Sequence, residues 1–157
     1  MRKLSTLLFV LVACIGCDQS TKYTAKHYLE GKGTYSYIND IFRLGYAENN
    51  GAFLGLGSTL PDNIRILIFT GFVALILLAF LCYVITSTHI TKIGVVGGAL
   101  IIGGGLSNLV DRLVNNGAVI DFLNLGIGSL RTGIFNVADM AIMLGALFML
   151  WFKNETV

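Results

Sequence analysis

The sequence predicts an all-α membrane protein with four transmembrane helices and a small extracytoplasmic β-sheet between helices one and two. Of its 157 residues, 55% are hydrophobic and 13% are charged, whereas a soluble domain has about 25% charged residues. Four long apolar segments account for this difference and indicate helices that lie in a bilayer. The net charge is only +2 and the sequence has no Lys/Arg cluster, so nothing indicates nucleic-acid binding.

The four helices follow from runs without charge. The first run has 14 residues, and the polar turn after it completes a span of about 20 residues. The second has no charged residue in 20 positions, and the fourth is interrupted only by Asn136 and Asp139. The runs are Leu4–Cys17, Ile66–Ile85, Ile93–Val110 and Phe135–Phe152, which predict helices over about 4–24, 64–85, 93–112 and 135–153.

The segment between helices one and two predicts a sheet on the membrane surface. Residues 35–37 and 42–46 alternate apolar with other residues, and this period of two is typical of strands. Their aromatic side chains suit the membrane interface, and the Asn-Asn-Gly run at 49–51 indicates a turn. We therefore expect a small sheet over about 34–60.

An even number of helices puts both termini on one side of the membrane. Arg2 and Lys3 flank helix one directly, and a positive flank on the first helix favours the cytoplasm. The count of Lys/Arg on the opposite side opposes this choice, but the positive-inside rule applies mainly near helix ends. We therefore predict that both termini are cytoplasmic. The opposing residues are Lys22, Lys26, Lys32, Arg43, Arg65, Arg112 and Arg131.

The N-terminus also has the pattern of a secretory signal peptide. A basic start, an apolar run and Leu-x-Ala-Cys would make the chain a lipoprotein that is cleaved before Cys14. A mature lipoprotein normally presents a soluble domain, whereas three more apolar segments follow here, so we prefer an uncleaved helix one. All three cysteines, Cys14, Cys17 and Cys82, lie in apolar segments, and no Cys/His spacing resembles a metal site. We expect neither a disulfide framework nor a metal.

Four carboxylates gather on the side opposite to the termini. Helix one ends at Asp18, helix three ends at Asp111, helix four begins near Asp139, and Asp121 lies in the connection before it. Ionisable groups at membrane depth are costly and tend to be functional. Asp121 is framed by apolar residues, which disfavour its charged form.

These carboxylates also have structural explanations. The spacing of Asn136 and Asp139 fits a capping box at the start of a helix, which would account for Asp139 without catalysis. Asp111 has possible ion-pair partners in Arg112 and Lys22. In the same way, Asp18 would be an ordinary interface residue or would tether Lys22.

Hydrolysis by two carboxylates is the peptidase chemistry that these residues allow. One ionised acid activates water, while the other, protonated, polarises the carbonyl and protonates the leaving amine. His27 and His89 are predicted on opposite sides of the membrane, so no Ser/His/Asp set is plausible. A proton-coupled transporter is a second functional class, but it predicts acids along a path through the membrane, and the inner side has only Glu155.

Five short blocks occur in a fixed order around the apolar segments. They are Asp18–Lys22, Asn49–Phe53, Gly104–Arg112, Val119–Phe122 and Phe135–Asp139. Each block is weak evidence alone. Taken in order, with four membrane segments between them, the blocks resemble the bacterial lipoprotein signal peptidase (signal peptidase II) family over nearly the whole chain.

The resemblance implies an activity and a location. The chain would be one integral membrane peptidase domain over 1–157, in the bacterial inner membrane, with its site on the outer face. It would be an aspartic endopeptidase that cleaves diacylglyceryl-modified prolipoproteins before the lipidated cysteine. No cofactor is implied. Prolipoproteins and membrane lipid are the expected partners, globomycin-type peptides the expected inhibitors, and a monomer the expected state.

The resemblance also assigns site residues. The family pattern puts the catalytic acids on Asp121 and Asp139, a choice among the four acids that charge placement alone leaves open. The remaining matched positions are Asn49, Asn108, Arg112 and Asn136, which line the site, and Asp18, Lys22 and Asp111, which support it.

Three positions depart from the family pattern. Ser107 stands where the family usually has Gly, a change that we expect to tighten helix packing. Phe53 comes one residue early after the Asn-x-Gly-Ala block, and Glu48 replaces a common basic residue. The last two bear on the contact that Asn49 makes, and not on the two proposed catalytic acids.

Overall fold

Helices make up most of the computed structural model, which describes residues 2–51, 57 and 59–151. The helices are α1 (Arg2–Leu29), α2 (Asp62–Ile66), α3 (Val73–Thr86), α4 (Lys92–Val114) and α5 (Val137–Trp151), and a π-helical turn, Leu67–Phe72, joins α2 to α3. Among the described residues, three helical stretches are long and apolar enough to cross a membrane: Arg2–Leu29, Asn63–Thr86 and Lys92–Val114. Helix α5 is also apolar, but it is shorter, with 15 residues.

The second and third helices agree with the predicted bounds to within two residues, as does the start of the fourth, and helix one differs more at its end. The predicted end of helix one at residue 24 is wrong, because α1 continues to Leu29. Neither glycine nor proline interrupts this extension before Gly31, whose φ of +73° is typical of a residue that ends a helix. Helix α5 begins at Val137 rather than 135, because Asn136 caps it. Residues 152 and 153 of the predicted fourth helix lie outside the described residues.

Helix α4 is the central helix and packs against α1, α3 and α5. In its most apolar stretch, 56% of the residues are buried, against 11% for each of the other two spans. Glycines let α4 and α5 approach each other closely. A Cβ atom on Gly97 would lie 2.8 Å from the carbonyl oxygen of Gly145, and one on Gly145 would lie 2.5 Å from that of Gly97. Small residues of this kind allow membrane helices to pack backbone to backbone.

The apolar core is small, and much apolar surface faces outward. Leu7, Val84 and Ile102 bring α1, α3 and α4 together in one buried cluster. In contrast, large side chains on the outer faces of α1 and α3 are exposed, among them Phe9 and Leu75. Exposed apolar surface on this scale is typical of helices whose solvent is lipid rather than water.

A four-stranded antiparallel sheet lies beyond one end of the helices. Its order is β1 (Tyr35–Tyr37), β2 (Phe42–Asn49), β3 (Val119–Ile127) and β4 (Leu130–Arg131). The register of β2 and β3 pairs Ala47 with Asp121 and Asn49 with Val119, after an irregularity between Leu44 and Ala47. The sheet therefore joins the segment after α1 to the segment after α4.

The predicted sheet over 34–60 is correct for β1 and β2 but misses β3 and β4. Strand β3 is not predicted by the sequence because its first four residues, Val119–Phe122, are all buried, so apolar and polar positions do not alternate there. A strand that is covered on both faces lacks the period of two by which strands are detected. Of the predicted range, residues 52–56 and 58 lie outside the described residues.

Candidate active site

A buried ion cluster joins α1 to α4 at the end of the bundle near the sheet. Lys22 Nζ lies 2.7 Å from Asp18 Oδ2 and 2.9 Å from Asp111 Oδ2, and it donates a 2.7 Å hydrogen bond to Asn108 Oδ1. The three charged side chains are at most 3% exposed. Each acid has further donors, since the Ala138 N–H binds Asp18 and the Ile120 N–H binds Asp111. Asp18 and Asp111 therefore share one cation and several hydrogen-bond donors, and both acids hold α1 to its neighbours.

Ser107 and Gln19 complete this cluster. The Ser107 hydroxyl donates to Asp18 Oδ2 at 2.7 Å, and Gln19 Nε2 donates to Asp111 Oδ1 at 2.8 Å and to Ser107 Oγ at 3.0 Å. The departure from the usual Gly at position 107 thus adds a hydrogen-bonded hydroxyl to the α1–α4 contact. The sequence predicts only a packing role for Ser107, because the partner of its hydroxyl lies on a helix 89 residues away in the chain.

Asp121 lies in β3 with its carboxylate held by two amides. Asn136 Nδ2 donates to Oδ1 at 2.7 Å, and Asn49 Nδ2 donates to Oδ2 at 3.0 Å. The residue is only 2% exposed. Because Asn49 ends β2 and β2 pairs with β3, the sheet positions both Asp121 and its hydrogen-bond donor Asn49.

Asp139 lies in the first turn of α5, where it takes part in a capping box. Its backbone N–H donates to Asn136 Oδ1 at 2.9 Å, and its Oδ2 accepts from the Asn136 N–H at 3.2 Å. The capping interpretation is therefore confirmed. Capping does not explain every contact of this side chain, because Asp139 Oδ1 also accepts a hydrogen bond from Asn108 Nδ2 of α4 at 3.0 Å.

Asn136 connects the two acids. It is fully buried, and its amide donates to Asp121 Oδ1, to Asn108 Oδ1 at 3.1 Å and to the Ile120 carbonyl at 3.3 Å, while its Oδ1 caps the Asp139 N–H. One side chain thus fixes a strand acid relative to a helix acid.

Both acids face one cleft of about 350 Å³. Asn49, Asn108 and Arg112 supply its other polar walls, and Phe69 of the π-helical turn supplies an apolar one. Arg112 donates through Nη2 to the Gly51 carbonyl at 3.1 Å and through Nη1 to the Asn108 carbonyl at 3.4 Å. Its buried Nε has no hydrogen-bond partner among the described residues. Because π-helical turns frequently occur at functional sites, Leu67–Phe72 is a further signal for this cleft.

The cleft favours a protonated carboxyl on the strand acid. Burial raises the pKa of Asp121 to about 6, and the nearby charge of Asp139 adds to the rise. The hydrogen bonds from Asn49 and Asn136 act in the opposite direction and limit it. A carboxyl with such a pKa can hold a proton or release it near neutral pH, as acid–base catalysis requires.

Comparison with known proteins gives one consistent result. A family model described as "Signal peptidase (SPase) II" matches residues 10–153. The chain is 34% identical over 153 residues to the "Lipoprotein signal peptidase" of Clostridioides difficile (strain 630), covering 95% of this chain and 97% of that protein. It is 35% identical over 158 residues to the protein of the same name from Pelodictyon phaeoclathratiforme, covering 93% and 88%. A solved bacterial membrane enzyme is 25% identical and superposes with a TM-score of 0.80 over 94% of this chain and 87% of that one.

The chain belongs to the signal peptidase II family. This confirms the predicted family and, with it, an aspartic-type peptidase that removes signal peptides from prolipoproteins. It also fits a multi-pass membrane protein, together with the apolar helices.

Eight of the nine predicted site residues of this signal peptidase II family member line the cleft or form the ion cluster beside it. The ninth, Asn136, is fully buried and does not line the cleft, although it binds Asp121 and caps α5. Lys22 pairs with Asp18 and Asp111, which are the structural ion pairs that the sequence suggests for these two acids. The alternative partner of Asp111, Arg112, instead binds two backbone carbonyls. Cys14 is buried against Gly103 within α1.

Proposed function

We propose that the chain cleaves diacylglyceryl-modified prolipoproteins immediately before the lipidated cysteine, with Asp121 and Asp139 as the catalytic pair. The observation that carries this assignment is the division of the four acids into two kinds. Asp18 and Asp111 are ion-paired with Lys22, whereas Asp121 and Asp139 both line the cleft and, among the described residues, accept hydrogen bonds from amide N–H groups without a direct cation partner. Peptide hydrolysis needs a pair of the second kind, in which a proton can be held and exchanged.

The pair shares one proton. In the resting enzyme one carboxylate activates the attacking water, and the protonated partner polarises the scissile carbonyl and then protonates the leaving amine. The two acids titrate as a unit, so the apparent pKa values belong to the pair. Asn49, Asn108 and Asn136 orient the carboxylates through the hydrogen bonds described above, because each donates its amide to one of them. Arg112, which lines the cleft, binds the backbone of the substrate.

The proposed topology places the cleft at the outer membrane surface. Residues 1–157 form one membrane peptidase domain with four spanning helices, the fourth being α5, and with the sheet outside the bilayer. Both termini lie in the cytoplasm of the bacterium, beneath its inner membrane. Supporting this, Arg2 and Lys3 flank the start of α1, while the cleft lies at the opposite ends of α1 and α4. The lipidated cysteine then enters sideways from the outer leaflet, and the enzyme works as a monomer.

Cleavage of a purified diacylated prolipoprotein by the reconstituted chain tests the function. Mass spectrometry should find a new N-terminal diacylated cysteine, and a globomycin-type cyclic peptide should block its appearance. Asp121→Asn and Asp139→Asn should each abolish the product, whereas Glu30→Gln, a matched change at an exposed acid, should not. A normal rate in either aspartate variant would remove that residue from the pair. Cleavage of an unmodified precursor at the same rate would refute the requirement for the lipid.

Labelling with a membrane-impermeant thiol reagent tests the topology. In a variant without native cysteines, a cysteine introduced at Thr132, beside the sheet, should be labelled in intact spheroplasts. A cysteine introduced at Thr88, between α3 and α4, should be labelled only after the membrane is opened. The reverse pattern would invert the orientation.

A further inference from the structure

A second cavity lies at the opposite end of the helices from the carboxylates. It has a volume of about 710 Å³, twice that of the catalytic cleft, and is bounded by the start of α1, the start of α4 and Phe148 near the end of α5. Along α4, the 16 residues from Lys92 to Asn108 separate the two sites by about 24 Å. The catalytic mechanism therefore makes no use of this cavity.

The lining of this cavity combines apolar walls with a positive rim. Five of its nine lining residues are apolar: Ile90, Ile93, Val95, Val96 and Phe148. Three others are basic, namely Arg2, Lys3 and Lys92, and none of the nine is acidic. A ligand that matches these walls has an apolar body and an anionic group at one end.

The three cations are not equivalent. Lys3 Nζ donates to the carbonyl of Ser87 at 2.7 Å and to that of Ile85 at 3.1 Å, so it caps the C-terminal end of α3. Arg2 and Lys92 are exposed, and neither forms an ion pair within the part of the chain that the structure describes. They are therefore the charges that an anionic group would meet at the mouth of the cavity.

We propose that this cavity binds one anionic phospholipid of the leaflet opposite to the catalytic carboxylates. Its acyl chains lie against the apolar walls formed by α4 and Phe148, and its phosphate is held by Arg2 and Lys92. Basic pockets between transmembrane helices bind anionic headgroups because the phosphate stays at the polar boundary while the chains remain in hydrocarbon. The bound lipid bridges the ends of α1, α4 and α5, which also carry the acids at their far ends.

Native mass spectrometry of the detergent-purified chain tests this proposal with two lipids of equal chain length, phosphatidylglycerol and phosphatidylcholine. The wild type should retain phosphatidylglycerol preferentially. The double variant Arg2→Gln/Lys92→Gln should retain phosphatidylglycerol about thirtyfold less, because the two cations contribute equally and independently to the binding of the headgroup. Val96→Trp should reduce retention as well, because it fills the cavity while leaving every charge in place. Prolipoprotein cleavage by each variant reports that it is folded.

A matched control separates a bound lipid from general attraction to an anionic surface. Lys26→Gln/Lys32→Gln removes two exposed lysines at the other end of α1 and should leave retention unchanged. Equal losses in the two double variants would overturn the proposal in favour of surface attraction. Equal retention of the two lipids by the wild type, or a dimer mass in place of the lipid adduct, would overturn it as well.

Discussion

The side-chain amide of Asn136 donates a hydrogen bond of 2.7 Å to Oδ1 of Asp121. Asn136 is also the N-cap of α5, so this bond ties the first turn of the helix, with Asp139, to strand β3. Two acids from different kinds of secondary structure are thereby held at one cleft.

Asn136→Ser should separate this link from the capping role. Serine is about as good an N-cap as asparagine, so the cap is kept, but its hydroxyl is too short to replace the amide that binds Asp121, Asn108 and the Ile120 carbonyl, and losing these buried bonds lowers the melting temperature. We expect prolipoprotein cleavage to fall by at least about a hundredfold, the usual scale for losing a positioned acid–base group. Asn136→Ala should lose the same activity and should be about 1 kcal/mol less stable than the serine variant, because it also loses the cap. Full activity in the serine variant would show that the link to Asp121 is dispensable.

Lys22→Met should destabilise the protein severely. The change leaves Asp18 and Asp111 buried without their cation, and breaking a buried ion pair in this way costs about 3–5 kcal/mol. Lys26→Met, one turn further along α1 and exposed, is the matched control and should melt like the wild type. Thermal unfolding in detergent measures both. Equal melting temperatures would mean that the cluster contributes nothing net to stability.

Asn49→Ala should shift the pH dependence of cleavage toward higher pH. The Asn49 hydrogen bond lowers the pKa of Asp121, against burial, which raises it to about 6. Removing the donor therefore raises the pKa further, and the limb of the pH–rate profile that reports Asp121 moves upward. Glu48→Gln, at an exposed neighbour on the same strand, should leave the profile in place. A profile that moves downward in Asn49→Ala would contradict the proposed role of Asn49.

The raised pKa of Asp121 also makes stability depend on pH in a defined direction. Because the folded state favours the protonated carboxyl, its contribution is fully present below the ordinary aspartate pKa near 3.9 and is lost as the pH rises through about 6. Asp121→Asn cannot ionise, so the difference in melting temperature between this variant and the wild type should grow in favour of the variant from pH 4 to pH 7. A constant difference over that range would show that Asp121 does not titrate there.

Gly145→Val should push α5 away from α4. A Cβ atom at this position would lie 2.5 Å from the Gly97 carbonyl oxygen, and relieving such a contact costs about 1–3 kcal/mol. Cleavage should fall together with stability, because Asn108 on α4 and Asp139 on α5 are hydrogen-bonded across the same interface. Gly16→Ala is the control, since a Cβ there would meet nothing within 4 Å, and it should be neutral or slightly stabilising. Similar behaviour of the two variants would contradict the close-packing account.

The positions of the membrane helices, and the polar residues at their ends, could be predicted from the sequence. A membrane helix is marked by the length of its apolar run and by residues near its ends, and both are local in the sequence. The predicted helices 64–85 and 93–112 therefore agree with the structure to within two residues. The end of α1 was missed because no apolar pattern marks residues 25–29, and β3 was missed because burial on both faces removes its alternation.

Which acids serve structure and which face the cleft was decided by tertiary contacts. From the sequence, charge placement determined that four carboxylates gather at one end of an apolar bundle, and the choice among them depended on the family resemblance rather than on the physics of the chain. Lys22 forms an ion pair with Asp111 across 89 residues of chain, and Asn136 donates a hydrogen bond to Asp121 across 15. The charge state and partners of a buried carboxylate depend on what surrounds it in space, and those surroundings exist only once α1, α4, α5 and the sheet have packed together.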